Sequence, residues 1–230
     1  MESWWGYIGG AALTLAIFAW WRKGHASPAS GPALDTSGGK APPWWTPADY
    51  KALAATSARL GINPANLLAI MRSESGLNPS AMYPGGIARG LTQITEAGRA
   101  SAGLSESDFE DFQNWSIQEQ LPRIEKYMRE EFAGSPPQTA GGLYAYNFLP
   151  AYAREKGTAP DTVLASVEDF PADSALDYDD DGQYEVRDLS NRLARYGARK
   201  DDGSPVDTLY LGALQGLRDA TGDQSISPVW

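Results

Sequence analysis

The chain contains no cysteine and a single histidine, His25, which lies in a stretch rich in Gly, Ser and Pro. Without thiols, disulfides, zinc–thiolate centres and cysteine nucleophiles are excluded, and one histidine in such a stretch supplies neither a serine–histidine triad nor a histidine-rich metal site. Carboxylates are left as the default groups for chemistry. Positive charge is also scarce: 19 Lys and Arg stand against 29 Asp and Glu, a formal net charge of -10, with acids crowded between Asp169 and Asp188. A broad basic face is missing, so nucleic acid is not an expected partner, whereas a neutral polymer is allowed. No convincing run of alternating polar and apolar residues marks a strand. The folded part is expected to be mainly α.

Charge is absent altogether from Trp4 to Trp21, WWGYIGGAALTLAIFAWW. About 18 residues at ~1.5 Å each reach roughly 27 Å, close to the thickness of a hydrocarbon layer. Tryptophans bracket both ends, and Arg22 and Lys23 follow directly, the pattern of a transmembrane anchor in residues 1–23. A cleaved signal peptide would place basic residues ahead of the apolar run, where only Glu2 is charged. Residues 24–43 read as a flexible Gly/Ser/Pro-rich linker. A helical core is expected over 44–160, with a C-terminal extension over 161–230.

Helix signals follow in order. Thr46, Pro47 and Asp49 start a first helix that Gly61 ends, and Asn63–Pro64 restart a second that runs to Glu74 before Gly76 and Pro79. Ser116 and Glu119 pattern as a capping box ahead of the stripe Ile117, Leu121, Ile124, Met128, Phe132, which closes at Gly134. Pro122 inside that run predicts a kink or a later start. Further helices are expected over Thr139–Asn147 and Leu209–Leu217.

Leu67, Ile70, Met71 and Glu74 stand at i, i+3, i+4 and i+7, so a carboxyl projects from an apolar helix face. It also occupies the last turn, where the macrodipole disfavours an anion; both effects favour the protonated form that a general acid needs. An ordinary helix-end glutamate paired with Arg72 or Arg89 satisfies the same spacing. The surrounding string MRSESGLNPSAMYPGGIARGLTQIT, Met71 to Thr95, resembles the signature of lytic transglycosylases and goose-type lysozymes. Glu74, Ser75, Asn78, Pro79, Gly90, Leu91, Gln93 and Ile94 match in order, and Ala145-Tyr146-Asn147 is similar to a second family element. The resemblance spans roughly Trp44 to Arg154 and implies a lysozyme-like helical domain that cuts peptidoglycan glycan strands. It implies Glu74 as catalytic acid and base, and Ser75, Gln93, Tyr146 and Asn147 on the substrate side, with the tyrosine near the catalytic carboxyl. Thr92 replaces the family's usual methionine, Phe148 and Leu149 replace a small pair, and Tyr83 stands where a substrate-binding serine is common.

Most glycosidases flank the scissile bond with two carboxylates, yet no acid lies between Glu74 and Gln93, and Glu96 is the next. The resemblance implies instead attack by the sugar's own C6 hydroxyl, leaving 1,6-anhydromuramyl ends; a hydrolysing muramidase and a non-catalytic glycan-binding or structural virion protein are the alternatives. The basic residues after the apolar run favour retention on the cytoplasmic side, where no peptidoglycan lies. A phage origin is therefore expected, with the chain in a virion membrane or entry apparatus, or otherwise in a bacterial cell envelope.

Asp177, Asp179, Asp181, Gln183 and Asp188, with Gly182, fall at positions 1, 3, 5, 7 and 12, and 6, of an EF-hand-like calcium loop. Oxygen ligands at this spacing suit one hard cation, so structural Ca²⁺ is expected there, tying the extension to a helix starting near Leu189. A solvated acidic loop is the plainer reading.

Overall fold

The computed structural model describes residues 41–132, 134–169, 176–177, 179–197 and 206–227, and within them the chain is mainly helical. Helix α1, Pro47–Leu60, opens on the reciprocal Thr46–Asp49 cap and closes at Gly61 in the left-handed conformation. Helix α2, Pro64–Ser75, starts at Asn63, whose side chain accepts from the Ala65 N–H, and stops at Gly76. A short antiparallel ribbon follows, β1 (Ala88–Arg89) against β2 (Ile94–Thr95). Then come α3 (Glu106–Asp111), a 3-10 turn (Phe112–Asn114), α4 (Ile117–Phe132), α5 (Ala140–Phe148) and α6 (Pro150–Lys156). A second ribbon pairs β3 (Val163–Ser166) with β4 (Gln183–Glu185) and leads into α7 (Val186–Ala194), and α8 (Thr208–Thr221) is the last helix among the described residues.

Three elements differ from the sequence expectation. The strands escaped notice because pieces of two to four residues are too short to display alternation. Helix α4 starts at Ile117 with Pro122 inside it; the lost backbone bond, about 3 kcal/mol, is outweighed by a continuous stripe in which Leu121, Ile124 and Met128 are fully buried. Helix α7 begins at Val186, ahead of Leu189, because Asp188 reaches back to cap the Glu185 N–H at 2.9 Å. A residue counted as a loop ligand is therefore also a helix cap.

One apolar core runs from Trp45 to Ile226 and encloses α2, whose Leu67, Leu68, Ala69, Ile70 and Met71 are all 0% exposed. A helix apolar on nearly every side belongs in such a centre. The C-terminal residues share this core. Helix α8 lies on α1 and α2, with its Asp207 cap paired to Arg72 of α2 at 2.7 Å and the Tyr210 hydroxyl donating to the Ala65 carbonyl. Helix α7 lies along α5. No helix among the described residues is long and apolar enough to cross a membrane; the expected span, Trp4–Trp21, lies outside them.

The α5–α7 contact depends on a missing side chain. A Cβ on Gly141 of α5 would stand 2.2 Å from both the Ser190 Oγ and the Val186 carbonyl of α7, where the Gly141 N–H now donates to Ser190 Oγ at 3.1 Å. Gly141→Ala should therefore destabilise the protein by about 1–3 kcal/mol, the usual cost of overpacking, seen as a lower urea midpoint. An unchanged midpoint would mean that the helices are not this close.

Candidate active site

The α2 stripe delivers Glu74 to the last helical turn as the spacing predicted. The residue keeps part of its surface, while its Oε1 is closed off and has no hydrogen-bond partner. The two arginines that could have neutralised it are committed elsewhere. Arg72 makes a two-pronged pair with Asp207, and Arg89 donates to the Glu110 carbonyl and to Gln113 Oε1 and lies over the Phe109 ring. The plain reading of a surface glutamate in an ion pair with either is excluded.

Three residues from three other helices reach the carboxyl electrostatically. The Tyr144 hydroxyl of α5 donates to it, and the Arg192 guanidinium of α7 lies within charge range. Tyr127 of α4 feels its charge as well. Tyr144 is itself held from both sides, by Ser73 Oγ at 3.1 Å and by a hydrogen bond from Arg192. Burial of the carboxyl outweighs the help from Tyr144 and Arg192 and pushes its pKa from 4.5 up to about 7. Burial, and then the charge of Glu74, hold the Tyr144 hydroxyl well above its ordinary value, so it stays a donor.

The tyrosine near the carboxyl is Tyr144, where the resemblance pointed to Tyr146. Residues two apart on a helix differ by about 200°, so the two rings cannot share a face. Tyr146 instead packs edge-on against Phe132, centroids 5.3 Å apart. Arg192 carried no local signal at all, since only the fold brings α7 against α5.

The chain beyond Glu74 is held unusually firmly. Gly76 and Leu77 are both left-handed, φ 64° each, a conformation that costs a leucine roughly 1–2 kcal/mol. Leu77 is nonetheless fully buried, and its carbonyl accepts from both the Trp44 and Trp45 indoles at 2.9 Å. Ser75 is buried and donates to the Met71 carbonyl at 2.8 Å, closing the helix end. Farther on, Gln93 is left-handed, φ 51°, and its amide donates to the carbonyls of Ala81 and Gly90. Asn147 reaches the same segment through the Thr92 carbonyl at 3.4 Å. Buried Gln120, which the sequence did not single out, holds the whole segment in place. Its amide accepts from Leu91 N–H and donates to the carbonyls of Pro79, Phe112 and Trp115. Gly90 has no room for a side chain, because a Cβ would meet Gln120 Oε1 and Phe112 Cε1 at 2.6 Å.

The acidic residues form a second cluster. Oxygens of Asp177, Asp179 and Asp181 lie within 4.8 Å of one another, and so do those of Asp179, Glu185 and Asp188. Glu185, at position 9, was not among the sequence candidates. Asp177 accepts from the N–H groups of Asp181 and Gly182, and Asp181 from that of Gln183. Asp188 is 1% exposed, and its Oδ1 is buried with no hydrogen-bond partner.

The family model of the transglycosylase SLT domain matches residues 51–115. No curated protein and no solved structure matches the chain. The matched stretch carries Glu74, the turn after it and the segment to Gln93, and it supports a lytic transglycosylase type of function on peptidoglycan. It ends before Tyr144, Arg192 and the acidic cluster.

The raised pKa makes stability depend on pH. The native state binds the extra proton between the unfolded value of 4.5 and about 7, so this group stabilises the fold fully below 4.5, and that contribution fades as pH rises through 7. The difference is on the order of 3 kcal/mol. Glu74→Gln should melt above wild type at pH 8, with the gap closing towards pH 5. A constant gap across that range would contradict a buried, unpaired carboxyl.

Proposed function

We propose that this chain is a peptidoglycan lytic transglycosylase that cleaves the β-1,4 bond between MurNAc and GlcNAc with Glu74 as its one catalytic carboxyl. The observation that carries this reading is the Glu74 carboxyl itself, with one oxygen, Oε1, closed off and unpartnered and its pKa raised to about 7 inside the matched stretch.

In the proposed reaction Glu74 gives its proton to the glycosidic oxygen, the bond from that oxygen to the muramyl C1 breaks, and the GlcNAc side leaves as an alcohol. The C6 oxygen of the same muramyl unit then bonds to C1, and its proton passes to the Glu74 carboxylate. The acid is restored, no water is consumed, and the product ends in a 1,6-anhydro ring. A pKa near the working pH suits a group that must act first as acid and then as base. Tyr144, which donates to the carboxyl, steadies its charged form between the two steps. Gln93, Tyr146 and Asn147 remain the candidates for the sugar side, since Asn147 and the Gln93 segment are joined.

The run Trp4–Trp21 we assign as a membrane anchor that keeps the enzyme in a virion membrane or entry apparatus, with the 24–43 linker giving it reach to the wall. Protease treatment of intact particles should then spare the domain until the membrane is dissolved. Recovery of the protein only from envelopes of uninfected cells would overturn that placement.

Mass spectrometry of fragments released from purified walls should find anhydromuramyl ends. Reducing muramyl ends would mean hydrolysis through a second acid, and no release at all would leave a binding protein. Glu74→Gln should lose roughly 10²- to 10⁴-fold in rate. Tyr144→Phe should lose on the order of tenfold, the worth of one hydrogen bond to a charged group. Activity of the wild type should fall as pH rises through about 7, where the donor loses its proton.

A further inference from the structure

The acidic cluster and the candidate active site share one helix. Asp188 stands in the first turn of α7 and Arg192 one turn later, on the same face. Ser190, between them, and the carbonyl of Val186, which opens the helix, lie so close to Gly141 that a Cβ there would stand 2.2 Å from each, and Gly141 is on α5, the helix that also carries Tyr144. Arg192 is 7% exposed and hydrogen-bonds Tyr144 beside Glu74. Whatever fixes the start of α7 therefore fixes the depth at which Arg192 meets that pair.

At that start a negative charge lacks compensation. Asp188 Oδ1 is buried and unpartnered, and carboxylate oxygens of Asp179, Glu185 and Asp188 lie within 4.8 Å of one another. Arg187 pairs with Glu185 and approaches Asp179 at 3.7 Å and Asp161 at 3.4 Å, with no ion pair to Asp188. One arginine shared among the neighbours of a buried carboxylate leaves that carboxylate costly unless a further cation joins it. Asp179 belongs to both groups of three, so the carboxylates of Asp177, Asp179, Asp181, Glu185 and Asp188 adjoin one another, and oxygen donors of this kind suit calcium.

We propose that this cluster binds one divalent cation, calcium by its ligand set, and that the bound ion seats α7 so that Arg192 holds Tyr144 against Glu74. The ion is then a switch for the cleavage centre, and Arg192 is a positioning residue. The second half rests on Glu74 being the catalytic acid; the binding half does not.

The groups facing Glu74 are Tyr144, Arg192 and Tyr127, and of these only Arg192 carries a full positive charge. Its withdrawal removes a stabiliser of the carboxylate, so the alkaline limb of activity should move to higher pH while the maximum rate falls.

The test uses the full chain. Terbium luminescence and calorimetry with calcium alone should show one ion per chain, abolished in Asp181→Asn, an exposed position, and in Asp188→Asn. Chelation of wild type should shift the alkaline limb upward by on the order of one pH unit. Arg192→Met should show the same shift with calcium bound, and chelation should add nothing to it. No ion uptake by wild type overturns the proposal, and uptake with an unmoved limb reduces the ion to a structural one. If the calcium-loaded protein releases no glycan, the enzymatic reading fails by itself, and the switch is judged without activity. A double-mutant cycle of Arg192→Met with Glu74→Gln, read by unfolding, should then show coupling in calcium that vanishes in chelator; equal coupling in both would overturn it.

Discussion

The rest of this structure depends on keeping one carboxyl out of water without giving it a counter-ion in contact. Glu74 Oε1 has no hydrogen-bond partner, and a paired carboxylate at the same place would be pulled down to the ordinary acid range and lose its proton at neutral pH. The fold meets that constraint by commitment of its neighbours. Arg72 is held by Asp207 and Arg89 by the α3 segment, so neither can swing in. The charge that is admitted, Arg192, stands behind Tyr144, close enough to moderate the burial effect and too weak to cancel it.

That arrangement explains why the surrounding backbone is so closely pinned. A desolvated acid works only if the substrate's oxygen comes to a fixed place, and misplacement by about 1 Å is costly in rate. The strained Leu77 is anchored by two indoles, and the Gly90–Gln93 segment by Gln120 and by Gln93's own amide. The indoles come from the residues just before α1 and Gln120 from α4. Several distant parts of the chain thus converge on the turn after Glu74 and on the Gly90–Gln93 segment.

Much of this was legible in the sequence where the signal is local. Thr46–Asp49, Asn63–Pro64, Ser116–Glu119 and the left-handed stops at Gly61 and Gly76 lie where spacing placed them, because caps act within one turn. Glu74 was visible through its position on an apolar stripe, and Gly90 to Gln93 through its order after it. What could not be read belongs to tertiary contact. Tyr144 and Tyr146 look equivalent in the string, and only the docking of α5 decides which one faces the carboxyl. Arg192 and Gln120 are polar residues on helices that read as partly exposed, and their burial follows from neighbours far away in sequence. The start of α7 was misjudged for a related reason: Asp188 serves the acidic cluster and the helix cap at once, and a spacing rule assigns one role per residue.

The most direct test of the central claim is an NMR titration of the Glu74 side-chain carboxyl, assigned by its loss in Glu74→Gln. A midpoint near 7 is what a buried, unpaired acid beside Tyr144 and Arg192 requires. A midpoint near 4.5, the ordinary glutamate value, would mean that solvent or a counter-ion reaches the group and that the proton donor of this account is misassigned.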